Sequence, residues 1–348
     1  MAETNCNRRR LLRYNQAMRV LLVKLSSLGD VIHNLPVVSD LARAHPEAEI
    51  DWAIESPYAE IAAMHPAVKK ILPIPLRRLK KHWWSQAAWR DFSASRSLLA
   101  EQRYDHILDT QGLIKSAWVA GWAEGLVAGY SGNSAREPLA ARFYDRPIDI
   151  PRDLHAVTRN RLLAGKAFGY TPADSVEYGI CAPTQSLPWL PVAPYAVFLH
   201  ATSRANKRWP DSAWVDLGMR LQGHGFQVLL PCGNDRERET SQRLAQALRQ
   251  AIVPPGMTLS EAAATLAHAS IVVGVDTGLA HLAVALGRPT IGLYITTQPR
   301  LTGLFGSGIA VNSGSGIAVN LGGGSEDAPS IPDVDAVWHA LLPCLNSA

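Results

Sequence analysis

From Met18 onward, short apolar runs alternate with amphipathic stretches. Val20–Leu25 reads as a buried strand, Ser26–Asp30 as a turn, and Val31–Ala44 as an amphipathic helix. Ile50–Ile54, Lys70–Ile74, Tyr104–Asp109 and Leu126–Tyr130 are further strands, with helical patterns between several of them. Such alternation predicts βαβ units and a parallel sheet. The pattern restarts after Pro183, Pro188, Pro191 and Pro194, because proline continues neither a helix nor a central strand. Strands follow at Ala196–His200, Gln227–Pro231, Ser270–Val275 and Thr290–Tyr294. Helices follow at Asp211–Gly223, Arg236–Arg249, Leu259–Ala267 and Thr277–Leu286, with a last one at Val334–Leu345. The chain thus divides into an N-terminal extension (1–17), an α/β domain (18–182) and a proline-rich linker (183–194). A second α/β domain (195–332) and a C-terminal helical segment (333–348) complete it. The heptapeptide at Gly306–Asn312 recurs at Gly314–Asn320. Two copies do not make a solenoid, so a Gly/Ser-rich surface loop is expected there.

A length of 348 residues suits two domains, and 47% hydrophobic with 18% charged residues excludes wholesale disorder. No run of about 18 apolar residues occurs, so no spanning helix is expected. Arg8, Arg9 and Arg10 precede no apolar core with a cleavage site, so no secretory signal is expected either. Cys6, Cys181, Cys232 and Cys344 lie far apart, which argues against a zinc site or a disulfide framework and suits a reducing compartment. Charge is uneven. Residues 1–174 carry 24 Lys and Arg against 18 Asp and Glu, and residues 175–348 carry 10 against 12. The basic half points to an anionic partner for the first domain.

Ligands of open α/β sheets bind beyond the carboxyl ends of the strands, so the residues after each strand carry the chemistry. Lys24-Leu25-Ser26-Ser27-Leu28-Gly29-Asp30 contains neither GxGxxG nor a P-loop, which lowers the nicotinamide and nucleoside-triphosphatase readings. Asp30 fits two roles, an N-cap or a general base. His200 to Pro210 offers Thr202, Ser203 and Lys207 with flanking arginines, a set suited to a phosphate or to a plain polar loop. Val272 to His281 runs a buried strand into a small-residue turn and a helix, whose free N–H groups attract anions. There Thr277 adds a hydroxyl and Gly278 lets a ligand approach the backbone. His281 either faces the cleft or is structural. Asp276 is awkward beside an anion, so a capping or orienting role suits it better. Glu237 is a candidate for ribose hydroxyls, or simply part of a charged first turn. Arg77, Arg78, Lys80 and Lys81 beside Trp83 and Trp84 suit an anionic surface, and Arg136 adds a fork for a carboxylate or phosphate.

Met18–Asp30, Lys207–Pro210 and Asp276–His281 together resemble the lipopolysaccharide heptosyltransferases. Asp109–Ser116, Ala135–Ala140 and Arg77–Trp84 are similar to the type I group more narrowly. The resemblance implies a GT-B fold, two Rossmann-like domains facing across a cleft with the C-terminal helix returning to the first. It implies inverting transfer of L-glycero-D-manno-heptose from ADP-heptose to the first Kdo of Kdo2-lipid A, without a cofactor or a metal. By position, Asp30 resembles the general base. Thr202, Ser203, Lys207, Glu237, Met257, Asp276, Thr277, Gly278 and His281 match donor positions. Lys24, Ser27, Arg77, Lys80, Lys81 and Arg136 match the acceptor side. Peripheral attachment to the cytoplasmic face of the inner membrane is implied as well. Ile295-Thr296-Thr297-Gln298-Pro299 departs from the family's usual Gly-Pro-Thr-Asp-Pro. A sugar-nucleotide epimerase is the rival enzyme reading. A nucleic-acid binder ranks low, because the basic residues are confined to one domain and no recognition motif occurs.

Overall fold

Runs such as Val20–Val23 are apolar without alternation because both faces of their strand are covered, as parallel sheets require. The computed structural model describes residues 17–192, 194–202, 204–306 and 318–345. The expected N-terminal extension (all but its last residue), Ser203 and most of the duplicated heptapeptides lie outside the described residues. The first sheet contains β1 (Arg19–Val23), β2 (Glu49–Glu55), β3 (Val68–Ile74), β4 (Arg103–Asp109), β5 (Glu124–Tyr130) and β6 (Arg146–Ile148). They run parallel in the order β3-β2-β1-β4-β5-β6, with Leu22 in register with Trp52 and Leu108. The second sheet contains β7 (Tyr195–Leu199), β8 (Gln227–Leu229), β9 (Ile271–Val275), β10 (Thr290–Tyr294) and β11 (Ala318–Gly322). Its order is β11-β10-β9-β7-β8, again all parallel. In each sheet the strand order reverses beside the first strand, between β1 and β4 and between β7 and β9. Those switch points are where crevices open in doubly wound folds.

Several expectations are corrected. The helix expected over Val31–Ala44 is two helices, Leu28–Ile32 and Leu35–Ala44. Pro36 has no N–H to return to Ile32 and starts a new helix instead. The second heptapeptide is not wholly a loop, since its last residues enter β11 and pair with β10. The C-terminal helix Val334–Leu345 buries Val337 and Leu341 in the core of the second domain rather than returning to the first. β6 was missed because it is three residues long and contains Pro147, a composition tolerated at a sheet edge.

The two sheets do not have separate cores. One buried cluster holds Val20, Leu22, Ile32 and Leu35 of the first domain together with Val197, Leu199, Ala280 and Leu282 of the second. Polar contacts cross the same boundary. Glu60 accepts the Ser260 N–H at 2.7 Å, at the start of the helix Leu259–Ala267. Arg300 donates to the Asp153 carbonyl at 2.8 Å.

Candidate functional site

The first half of the site is built where β1 and β4 end. Asp109 closes β4 and is fully buried. It accepts from the Gln111 N–H and Ser116 Oγ at 2.7 Å and from the Tyr144 hydroxyl at 2.8 Å. Burial still pushes its carboxyl above the usual range, against the pull of those bonds. Gly112 turns the chain at φ +66°, a conformation open to glycine. The Gln111 side-chain Oε1 then accepts the Leu25 N–H at 2.7 Å and holds the loop after β1. Lys24, buried there, donates to the Thr110 carbonyl at 2.9 Å. Desolvation lowers its pKa, and Asp30 and Asp109 offset part of that. Ser27 is the N-cap of the helix Leu28–Ile32, so Asp30 is its third residue and not the cap. The Ser27 N–H and hydroxyl donate to the Asp30 carboxylate at 3.0 and 3.1 Å, the reciprocal half of a capping box. The Asp30 side chain remains 26% exposed, with the Arg136 guanidinium 3.8 Å away.

The second half lies where β7, β9 and β10 end. Trp209 is buried, packs edge-on against Trp214 at 4.9 Å and donates to the Pro332 carbonyl at 2.7 Å. That anchor places Lys207, whose ammonium donates to Asp276 at 2.6 Å. Thr297 donates to the same carboxylate at 3.0 Å. Asp276 is thus paired with a cation and a hydroxyl and holds both in place. The sequence around Thr297 departs from the family pattern, yet it ties its loop to β9. The neighbouring Thr296 hydroxyl is buried without a partner. Thr277 is the N-cap of the helix Gly278–Ala285 and spends no side-chain bond on capping. Thr202 lies half-buried beyond β7. Glu237 and Met257 are engaged locally. The Glu237 carboxylate accepts from the Gly233 N–H at 2.8 Å and from the Asn234 side chain at 2.7 Å, and the Met257 sulfur accepts from Thr265 at 3.5 Å.

The halves meet through small residues. A Cβ on Gly278 would lie 2.6 Å from Cγ of Leu28. The glycine thus admits a side chain of the other domain, where the sequence suggested room for a ligand. Gly29 lies under His281 in the same way, its missing Cβ 3.3 Å from the imidazole. His281 is buried, with Nδ1 3.2 Å from Nε2 of His33. The His155 ring lies 5.3 Å from that of His33, and its Nε2 is 3.1 Å from the Gly303 carbonyl oxygen. Burial lowers the pKa of all three, to about 4 for His155. Sequence reasoning missed His33 and His155, since each stands alone at a helix end and only the tertiary fold joins them.

The basic residues reach this centre through a relay. Arg77 donates to the Tyr58 hydroxyl at 2.9 Å and lies 3.3 Å from the buried Glu55. Lys115 lies 3.3 Å from Glu55 and donates to the Ser26 hydroxyl at 2.9 Å. Lys115 belongs to the Asp109–Ser116 motif, and no role had been read for it. Lys80 is exposed, while Arg77 and Lys81 line a cavity of 640 Å³ with Pro57, Ile74, Pro75 and Leu98. Among the described residues, no helix is long and apolar enough to cross a membrane, and no group of three or more His, Cys, Asp or Glu could hold a metal ion.

Residues 92–318 match the profile of glycosyltransferase family 9 (heptosyltransferase). Lipopolysaccharide heptosyltransferase 1 of Pseudomonas aeruginosa is 46% identical over 294 residues, covering 83% of this chain and 82% of that protein. The protein of the same name from Escherichia coli K12 is 42% identical over 293 residues, covering 83% and 91%. Among solved structures, E. coli heptosyltransferase WaaC with ADP superposes with a TM-score of 0.84 at 37% identity, covering 94% of this chain and all of that one. The same enzyme with ADP-2-deoxy-2-fluoro heptose gives 0.80, covering 92% and 98%.

Proposed function

This chain belongs to glycosyltransferase family 9, a GT-B heptosyltransferase of lipopolysaccharide core synthesis, and on that premise we propose the substrates and the chemistry. The donor is ADP-heptose and the acceptor is the first Kdo of Kdo2-lipid A, met at the cytoplasmic face of the inner membrane. Family membership sets aside the epimerase reading. What supports the assignment of chemistry is one observation: Leu28 rests on Gly278, so Asp30 and the Thr277 helix end border the same junction.

Asp30 takes the proton from the Kdo hydroxyl as its oxygen bonds to the anomeric carbon. The bond from that carbon to the diphosphate breaks as the new bond forms, the electron pair leaves with ADP, and the sugar centre inverts. One base suffices because the leaving diphosphate needs no proton at neutral pH. The Ser27 contacts fix the carboxylate, and its exposed edge remains open to the acceptor. Lys207, Thr202, Ser203, Thr277 and the Gly278 helix end meet the charge growing on the diphosphate. Asp276 holds Lys207 in place, Glu237 takes the ribose hydroxyls, Met257 packs on adenine, and His281 backs the donor side. Lys24, Ser27, Arg77, Lys80, Lys81 and Arg136 receive the anionic acceptor.

The test is Asp30→Asn. Turnover falls about 10²- to 10⁴-fold, the usual worth of a positioned base, while ADP-heptose affinity stays within a few-fold. Turnover near wild type refutes the assignment.

A further inference from the structure

Three imidazoles meet at the junction of the two domains, and the proton on each can be placed. His155 is the clearest. Its Nδ1 accepts the Val157 N–H at 3.2 Å, so its own proton sits on Nε2 and goes to the Gly303 carbonyl at 3.1 Å. His33 is held by its backbone. Its N–H donates to the Gly29 carbonyl at 2.8 Å, and Asn160, itself fixed by the Tyr130 hydroxyl, donates to the His33 carbonyl at 3.3 Å. Burial, with His281, His155 and Lys24 nearby, keeps the His33 ring neutral at pH 7. A neutral imidazole has one N–H and one bare nitrogen. Nδ1 of His33 is buried and has no hydrogen-bond partner among the described residues. The Gly303 carbonyl also faces this ring, but it already takes the His155 proton. A buried N–H without an acceptor is the rarer orphan, so the bare nitrogen of His33 is Nδ1 and its proton is on Nε2.

That Nε2 lies 3.2 Å from Nδ1 of His281, with the two rings nearly perpendicular at 78°. His33 is therefore the donor of this bond and Nδ1 of His281 the acceptor. Burial keeps His281 neutral too, so its single proton is left to Nε2. The ring edge that carries Nε2 faces Gly29, whose missing Cβ would lie 3.3 Å from Cδ2 and 3.7 Å from Nε2. It thus sits beside the Asp30 loop and one turn along the helix that begins after Thr277. The negative charges that act on the ring are those of Asp276 and Asp30. We propose that His33 is a positioning residue: it holds His281 in the Nε2–H tautomer and so makes it a hydrogen-bond donor to an oxygen of ADP-heptose. In the other tautomer the same edge would turn a lone pair toward an anionic ligand and repel it. The proposal deepens the donor-side reading of His281 above, on which it rests for the identity of the ligand.

Long-range proton–nitrogen correlation spectra of the full chain, labelled at histidine and recorded at neutral pH without substrate, read each tautomer directly. The His281 signals, assigned by their loss in His281→Leu, show the proton on Nε2. His33→Phe keeps a ring in place but loses its N–H, and moves the His281 proton in part or whole to Nδ1. His33→Gln, whose amide can still donate, leaves it on Nε2. In turnover, His33→Phe lowers kcat about tenfold or more, since one preorganised donor is worth about 10²- to 10³-fold, and leaves the acceptor KM near wild type. His33→Gln recovers most of that loss. In the His281→Leu background, His33→Phe costs no more than about twofold, whereas a merely structural role for His33 would cost the same in both backgrounds. A proton on Nδ1 of His281 in the wild type overturns the proposal. So does a tautomer unmoved in His33→Phe, or kinetic effects of the two changes that simply multiply. Tautomers as expected together with normal turnover of His281→Leu instead sink the placement of His281 beside the donor.

Discussion

Replacing Gly278 with alanine puts a methyl carbon where Leu28 already stands. The new Cβ would lie 2.6, 2.7 and 2.8 Å from Cγ, Cδ2 and Cβ of Leu28. Non-bonded carbons settle at about 3.5–4.0 Å, so the shortfall is about 1 Å. Either Leu28 abandons its place or the domains part by that amount. Overpacking of this kind costs roughly 1–3 kcal/mol. A reacting group displaced by about 1 Å costs roughly 10²-fold in rate. Gly278→Ala is therefore expected to keep its circular dichroism and lose about 10²-fold in kcat/KM, measured by ADP release with both substrates present. The added change Leu28→Gly removes all three offending carbons and restores most of the loss. If Gly278→Ala turned over normally, or if the double variant were no better than the single one, the glycine would not be there for Leu28. A glycine kept for the ligand's approach gives no rescue.

Lys207→Met removes a charged hydrogen bond worth about 1.5–3 kcal/mol. It should lower kcat/KM for ADP-heptose by roughly 10- to 100-fold while leaving the acceptor KM near wild type, which initial-rate kinetics over both substrates will read. The buried histidines give a pH dependence. Their folded pKa values lie below the unfolded value, so the unfolded chain binds more protons as pH falls, and stability is full above about 6.5 and drains away toward 4. Burial of His155 alone, with its pKa pushed to about 4, is worth roughly 3 kcal/mol over that window. Urea midpoints measured from pH 7 to 4.5 should fall, and His155→Gln should flatten part of the slope. A midpoint unchanged over that range would contradict the buried, neutral assignment.

Most of the fold was legible because parallel strands covered on both faces announce themselves as unbroken apolar runs, as Val20–Val23 and Ile271–Val275 do. β11 was not, because its residues lie in a glycine-rich repeat and it becomes a strand only by pairing with β10. The break at Pro36 was legible in principle, but the amphipathic pattern continues across it. The candidate site was legible where chemistry follows a strand. Lys24, Asp30, Lys207, Asp276 and Thr277 all stand beyond strand ends at the two switch points. What sequence could not supply is partnership. Nothing local says that Lys207 pairs with Asp276, that Gln111 holds the Leu25 amide, or that His33 meets His281 across 248 positions. Gly278 shows the limit most plainly, since a glycine at a helix start suits either a ligand or a neighbouring side chain, and only the opposing domain decides.

The apolar cluster shared by the two sheets has a thermal consequence. A protein with two sheets and a linker would ordinarily lose one lobe before the other, and its melt would not be two-state. Here, releasing either lobe strips the partner of the residues that keep it dry. Scanning calorimetry should accordingly record a single endotherm, with van't Hoff and calorimetric enthalpies in agreement.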